Sequence, residues 1–296
     1  MSKMDVVKLP ESPKLVGSPR YLVIPDHDES SQERNSEYYE CDPCRSYIKT
    51  EDFQGWCNMK AIQLPEWLRY IEPRAFKDCI SLVIIVIPSE IKGLKEGIFD
   101  NCISLKKVVF SGKNIRSIAE YAFFHCTSLE TITIPEKVRI IEEGVFSKCS
   151  SLCEINLHEN IIAIHEDAFS DCTALTKMDI PGSVEYIENN AFAGCSSLRE
   201  INLPDIEVIP DSAFKDCTSL TSIIIPDSVK EIKRYAFKDC TSLTRIIIPK
   251  NIKTIENGAF TGCTSLAIAV IISNDVDIQE RAFEKCTSLM EQKESN

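Results

Sequence analysis

Apolar residues in this chain recur in blocks that restart about every 23 positions. The clearest landmark is a Phe preceded by a small or aliphatic residue, at Phe76, Phe99, Phe123, Phe146, Phe169, Phe192, Phe214, Phe237, Phe260 and Phe283. Successive steps are 23, 24, 23, 23, 23, 22, 23, 23 and 23 residues. Counting back one period reaches Phe53, so the pattern holds eleven units, of which the first and last are atypical. A fixed period of this size marks a stacked solenoid, because one unit cannot bury its apolar face alone.

Each unit follows one internal order. Cys stands three residues after the Phe, as at Cys79, Cys102 and Cys240, and Leu six after, as at Leu82 and Leu243. A short β-rich run follows, such as "TITIP" or "RIIIP", usually closed by Pro. Its period-two alternation predicts a strand with one buried face. Proline ends the strand because it has no amide hydrogen for a ladder. Two further apolar positions come next, as at Val229 and Ile232, and then the segment around "AFKDC", which suits a helical turn. Ten strands about 4.8 Å apart give a rod or arc of about 45 Å. The 24-residue step adds a residue before Ile115 and the 22-residue step drops one after Pro204; both are expected to be absorbed in loops.

These boundaries divide the chain into an N-terminal tail or cap (1–52), a solenoid (53–290) and a polar tail (291–296). Within the solenoid, 53–75 reads as the N-terminal cap unit and 283–290 as a truncated last unit. The stretch "PDHDESSQERNSEYYE" is charged and poor in aliphatics, which predicts a flexible segment, while "YLVIP" (21–25) resembles a repeat strand. Both tryptophans, Trp56 and Trp67, fall in the first unit, and Trp56 takes the position that Cys holds later. A cap of large apolar side chains is therefore expected at the front. The uncharged "LAIAVII" (266–272) ends the solenoid, and an incompletely covered edge there would allow end-to-end pairing of two copies.

The pattern "CTSLTSIIIPDSVKEIKRYAF" resembles the BspA-type leucine-rich repeat. The resemblance covers roughly residues 53–290. It implies a leucine-rich-repeat solenoid with a parallel β-sheet on its concave face. Some members of that family are adhesins at microbial surfaces that bind host proteins.

Charge and chemistry narrow the function. A net charge of −12 argues against nucleic acid, since phosphate binding needs a basic surface. No run of about 18 apolar residues is present, so no membrane insertion is expected. The start, "MSKMDVVKLPESPKLVGSPR", has no apolar stretch of signal-peptide length, which predicts a cytoplasmic protein, with surface display by a non-standard route as the alternative. Ten of the 14 cysteines belong to the repeat position and read as small buried reduced thiols. The others are Cys41, Cys44, Cys57 and Cys153. "CDPC" has zinc-ligand spacing, and Cys41, Cys44, Cys57 and His27 form a candidate Cys3His site; a Cys41–Cys44 disulfide and unligated cap cysteines are the other readings. Cys153 reads as a surface thiol. His125, His158 and His165 read as solvated repeat-variable residues, and recurrent carboxylates such as Asp78, Asp216 and Asp239 as a charged outer face. No catalytic motif is found, so no enzyme is expected.

Binding is the function that the repeat supports. If residues nine and eleven after each Phe point inward, residues eight and ten face the concave surface. They are Ala61 and Gln63, Ile84 and Val86, Lys107 and Val109, Thr131 and Thr133, then Glu154 and Asn156, Lys177 and Asp179, Glu200 and Asn202, and finally Ser222 and Ile224, Arg245 and Ile247, Ile268 and Val270. The middle coils are polar here and both ends present aliphatics. The expected function is a protein-binding scaffold, with an adhesin or a metal- or redox-responsive protein as alternatives.

Overall fold

Stacking, not local propensity, decides the structure. The computed structural model describes residues 38–40, 46–273 and 275–289, and each 23-residue unit forms one coil of a solenoid. The candidate ligands His27, Cys41 and Cys44, and the segment 21–25, lie outside these residues.

The main strands are Tyr38–Glu40, Ala61–Gln63, Ile84–Ile87, Lys107–Phe110, Thr131–Thr133, Glu154–Asn156, Lys177–Asp179, Glu200–Asn202, Arg245–Ile248 and Ile268–Ile271. Every pairing between them is parallel and in equivalent register, as in Ile84↔Lys107 and Arg245↔Ile268. A second row of two-residue strands follows the Pro corner, including Ser117–Ile118, Ile140–Ile141 and Ala163–Ile164. The only α-helix among the described residues is a single turn, Thr50–Phe53, at the front.

The segment around each Phe is not the helical turn expected from sequence. It is a flat run of turns in which the residues two before and two after the Phe adopt left-handed backbone, as at Arg74 (φ 60°) and Asp78 (φ 61°). This conformation sends alternate amides in one direction. The amides of Arg74, Phe76 and Asp78 donate to the carbonyls of Glu96, Ile98 and Asp100 in the next coil at 2.9, 3.0 and 2.8 Å. The pattern runs to the rear, where Phe260 and Gly262 donate to Ala282 and Glu284. Side chains rarely tolerate this backbone, which is why Gly occupies several of these positions, as at Gly262 (φ 79°).

Inside this ladder the Phe rings form one column. Eleven rings stack from Phe53 to Phe283, with centroids 5.0–5.6 Å apart and planes within 20° of parallel. Each offset pair contributes about 0.5–1.5 kcal/mol beyond its buried area. The repeat cysteines are buried as expected, but they are more than apolar filler. Cys102 Sγ donates to the carbonyl of Phe76, one coil back, at 3.0 Å, and the same bond recurs from Cys79 to Cys286. Trp56 caps the column edge-on to Phe53 at 5.0 Å, whereas Trp67 stands half exposed, outside that cap.

The coils of unusual length are not absorbed silently. Lys107–Phe110, in the 24-residue coil, pairs with the strand before it but not with Thr131–Thr133. Glu200–Asn202, in the 22-residue coil, likewise pairs only backwards, and residues 222–225 form no ladder at all. In the same coil as residues 222–225, the buried Ser228 hydroxyl finds no partner, although the equivalent Ser183 donates to Ile161 O at 2.7 Å. The ladder also breaks between Glu154–Asn156 and Lys177–Asp179, where no length change accounts for it.

Two outcomes test this account. Replacing Phe169, which has a ring on either side, by Ala costs about 3–5 kcal/mol and lowers the urea midpoint, whereas Phe283→Ala, with one neighbouring ring and partial exposure, costs less. Burial pushes the Cys149 and Cys195 thiols up to about 12, so they stay protonated and unreactive at neutral pH. Iodoacetamide labelling of native protein read by mass spectrometry should modify the exposed Cys57 and Cys153 and spare the ladder from Cys79 to Cys263.

Candidate functional site

The solvent side of the main ladder is built by strand alternation. In Arg245–Ile248, Ile246 and Ile248 point into the core while Arg245 and Ile247 face solvent. The same phase holds in the paired strands from Ala61–Gln63 to Arg245–Ile248, so residues eight and ten after each Phe share one face there, with Ile85 and Ile87 beneath Ile84 and Val86, while in the last strand, Ile268–Ile271, Ile271 is exposed as well.

That face has three zones. At the front, Ile84, Val86 and Val109 are only half exposed, so the front half of the expected aliphatic surface is weaker than its sequence suggests, while Lys107 is exposed. The middle is polar and self-paired. Lys177 Nζ lies 3.1 Å from Asp179, the Asn202 amide donates to Asp179 Oδ1 at 3.0 Å, and Asn156 contacts Glu154 at 3.4 Å. Lys177 also stands opposite Glu200 in the register.

The rear zone differs. Ile224 is 77% exposed and Ile268 51%, with Ile247, Val270 and Ile272 exposed beside them. The register sets Ile247 against Val270 and Arg245 against Ile268. Ile224 lies in the stretch without ladder bonds, and here a cavity of about 250 Å³ opens, lined by Ile223, Ile224, Ile225, Ile247, Pro249 and Ile272. Nothing in the sequence reading anticipated that cavity.

The histidines are not simply solvated. His125 Nδ1 lies 2.8 Å from Asn101 Oδ1, His158 Nε2 lies 3.0 Å from the Pro135 carbonyl, and His165 Nδ1 lies 3.2 Å from Glu142. Each ties its coil to the one before. Burial raises the Glu142 carboxyl above its usual range and His165 opposes that shift. Exposed Cys57 donates to the nearby Gly55 carbonyl at 3.1 Å, and Cys153 to Glu130 O at 3.5 Å. Among the described residues no group of three or more His, Cys, Asp or Glu is placed to hold a metal ion. Among them, too, no helix is long and apolar enough to cross a membrane.

Known proteins agree on the architecture. The pneumococcal vaccine antigen PcpA superposes with a TM-score of 0.63 at 22% identity, over 83% of this chain and 66% of that one. A leucine-rich repeat protein of Eubacterium ventriosum gives 0.58 at 18% identity, over 90% and 87%, and one of Bacteroides ovatus gives 0.50 at 25% identity, over 85% of each. No curated protein matches the sequence. The model of the BspA type leucine rich repeat region matches residues 46–176, 116–206 and 164–290. Matched over most of its length by that model, the chain belongs to the BspA-type leucine-rich repeat family.

Proposed function

We propose that the protein is a non-enzymatic protein-binding scaffold whose contact surface is the solvent side of the main ladder, on the concave face. The observation that carries this reading is the rear aliphatic zone. Strand propensity explains why Ile and Val occur in strands, but it does not explain five exposed aliphatics in one zone, three of which, Ile224, Ile247 and Ile272, line a cavity. An apolar patch rimmed by charge, here Arg245 and Asp227, is the usual make-up of a protein contact. The polar middle coils, already paired among themselves, would form the rim. An aromatic stacking groove for sugars has no counterpart on these strands.

The twelve described cysteines are all free thiols, which supports a reducing compartment such as the cytoplasm. Display at the cell surface is the alternative, and fractionation of intact cells separates the two.

A pull-down read by mass spectrometry tests the contact surface, with wild type beside an Ile224→Asp, Ile247→Asp double variant. Both positions face solvent, so the variant should keep the wild-type circular dichroism spectrum. The expected outcome is a set of partners captured by wild type and lost by the folded variant. Identical captures would move the contact elsewhere.

A further inference from the structure

One row of positions on the second face, all exposed except the half-buried Ile162, reverses its charge along the solenoid. It lies one residue after the buried position that follows each Pro corner. From the front it reads Arg69, Lys92, Arg116, Arg139, then Ile162, Glu185, Glu207, Lys230 and Lys253. Backbone bonds show that these residues are neighbours. Arg116 donates to Lys92 O at 2.7 Å, Ile162 to Arg139 O at 2.8 Å and Glu185 to Ile162 O at 2.9 Å.

The four leading cations stand together without counter-ions. Among the described residues neither Arg69, Lys92, Arg116 nor Arg139 forms an ion pair. Further along the same row Lys230 is held by Glu207 at 2.5 Å.

At the Arg116 and Arg139 end of this row lies a groove of about 870 Å³, lined by Arg116, Ser117, Lys137, Arg139, Ile140 and Ile162. Glu136, Glu142 and Glu159 line it too, and Glu142 is engaged by His165 at 3.2 Å. The groove opens where the second strand row is broken, between Ser117–Ile118 and Ile140–Ile141. In most coils the first residue of this row and the one three further on donate amides to the coil before, as Ile162 and His165 do to Arg139 O and Ile141 O. Arg139 and Glu142 occupy those places at the break, and their amides reach no backbone carbonyl of the preceding coil.

We propose that this row and groove dock an extended acidic peptide segment of a partner protein. Three steps of about 4.8 Å make the row about 14 Å long, the reach of four or five extended residues at about 3.3 Å each. A carboxylate on such a segment meets the guanidinium groups of Arg116 and Arg139, and the open amides donate to its carbonyl oxygens. A long uniform polyanion fits less well, because the row turns acidic at Glu185 and Glu207 and the whole chain is acidic.

The test is fluorescence anisotropy of labelled octaglutamate titrated with the full chain, at low salt and at physiological ionic strength. Saturable, salt-weakened binding is expected. Arg116→Glu with Arg139→Glu should weaken it about tenfold, since two exposed ion pairs are lost and charge reversal adds repulsion. Lys230→Glu with Lys253→Glu, and the Ile224→Asp, Ile247→Asp variant, should bind as wild type; the last control keeps this surface separate from the strand face. Absence of saturable binding, or equal loss in the Lys230 and Lys253 variant, overturns the proposal. So does inorganic polyphosphate of matched charge that displaces the peptide at lower concentration, which assigns the row to polyanions instead.

Discussion

The structure depends on a bond that no coil makes within itself. At each repeat Phe from Phe76 to Phe260 the backbone is turned so that its amide points at the next coil and its carbonyl receives the thiol of the Cys one coil on. The ring of that Phe lies on the rings before and behind it. Three interactions of different kinds, amide to carbonyl, thiol to carbonyl and ring to ring, therefore act between the same two coils at one place. None can form in a coil alone, so stability here is a nearest-neighbour quantity.

That outer column is continuous, and the two strand rows are not. Both rows are broken several times, while the Phe stack and its amides pass every break. The strands are thus not what sets the spacing of coils. They follow it, and a coil one residue longer or shorter can lose its ladder bonds without unstacking its neighbours.

Much of this was legible in the sequence. The period, the strand phase and the buried Cys position follow from residues that repeat almost unchanged, because core positions have one environment in every coil. The left-handed turns were missed. Their signal was present in Gly97, Gly144, Gly194, Gly258 and Gly262 and in Asn and Asp at equivalent positions, but Arg74, Tyr121, Lys148 and Tyr235 take the same backbone and dilute it. Here the cross-coil bonds override local preference. The half-buried state of Ile84 and Val86 was missed as well, since exposure depends on neighbours in space that alternation cannot count.

The odd-length coils connect this architecture to function. The groove on the second face begins in the 24-residue coil, at Arg116 and Ser117. The aliphatic cavity begins in the coil that follows the 22-residue one, at Ser222 to Ile225. A perfectly periodic solenoid has flat ladders on which every backbone group is paired and every surface repeats. One residue gained or lost at a corner unpairs a short stretch, opens a depression and frees amides, at a place that the outer column keeps folded. In this protein the departures from the repeat, more than the repeat, create surfaces that distinguish one coil from the next, and recognition needs that difference.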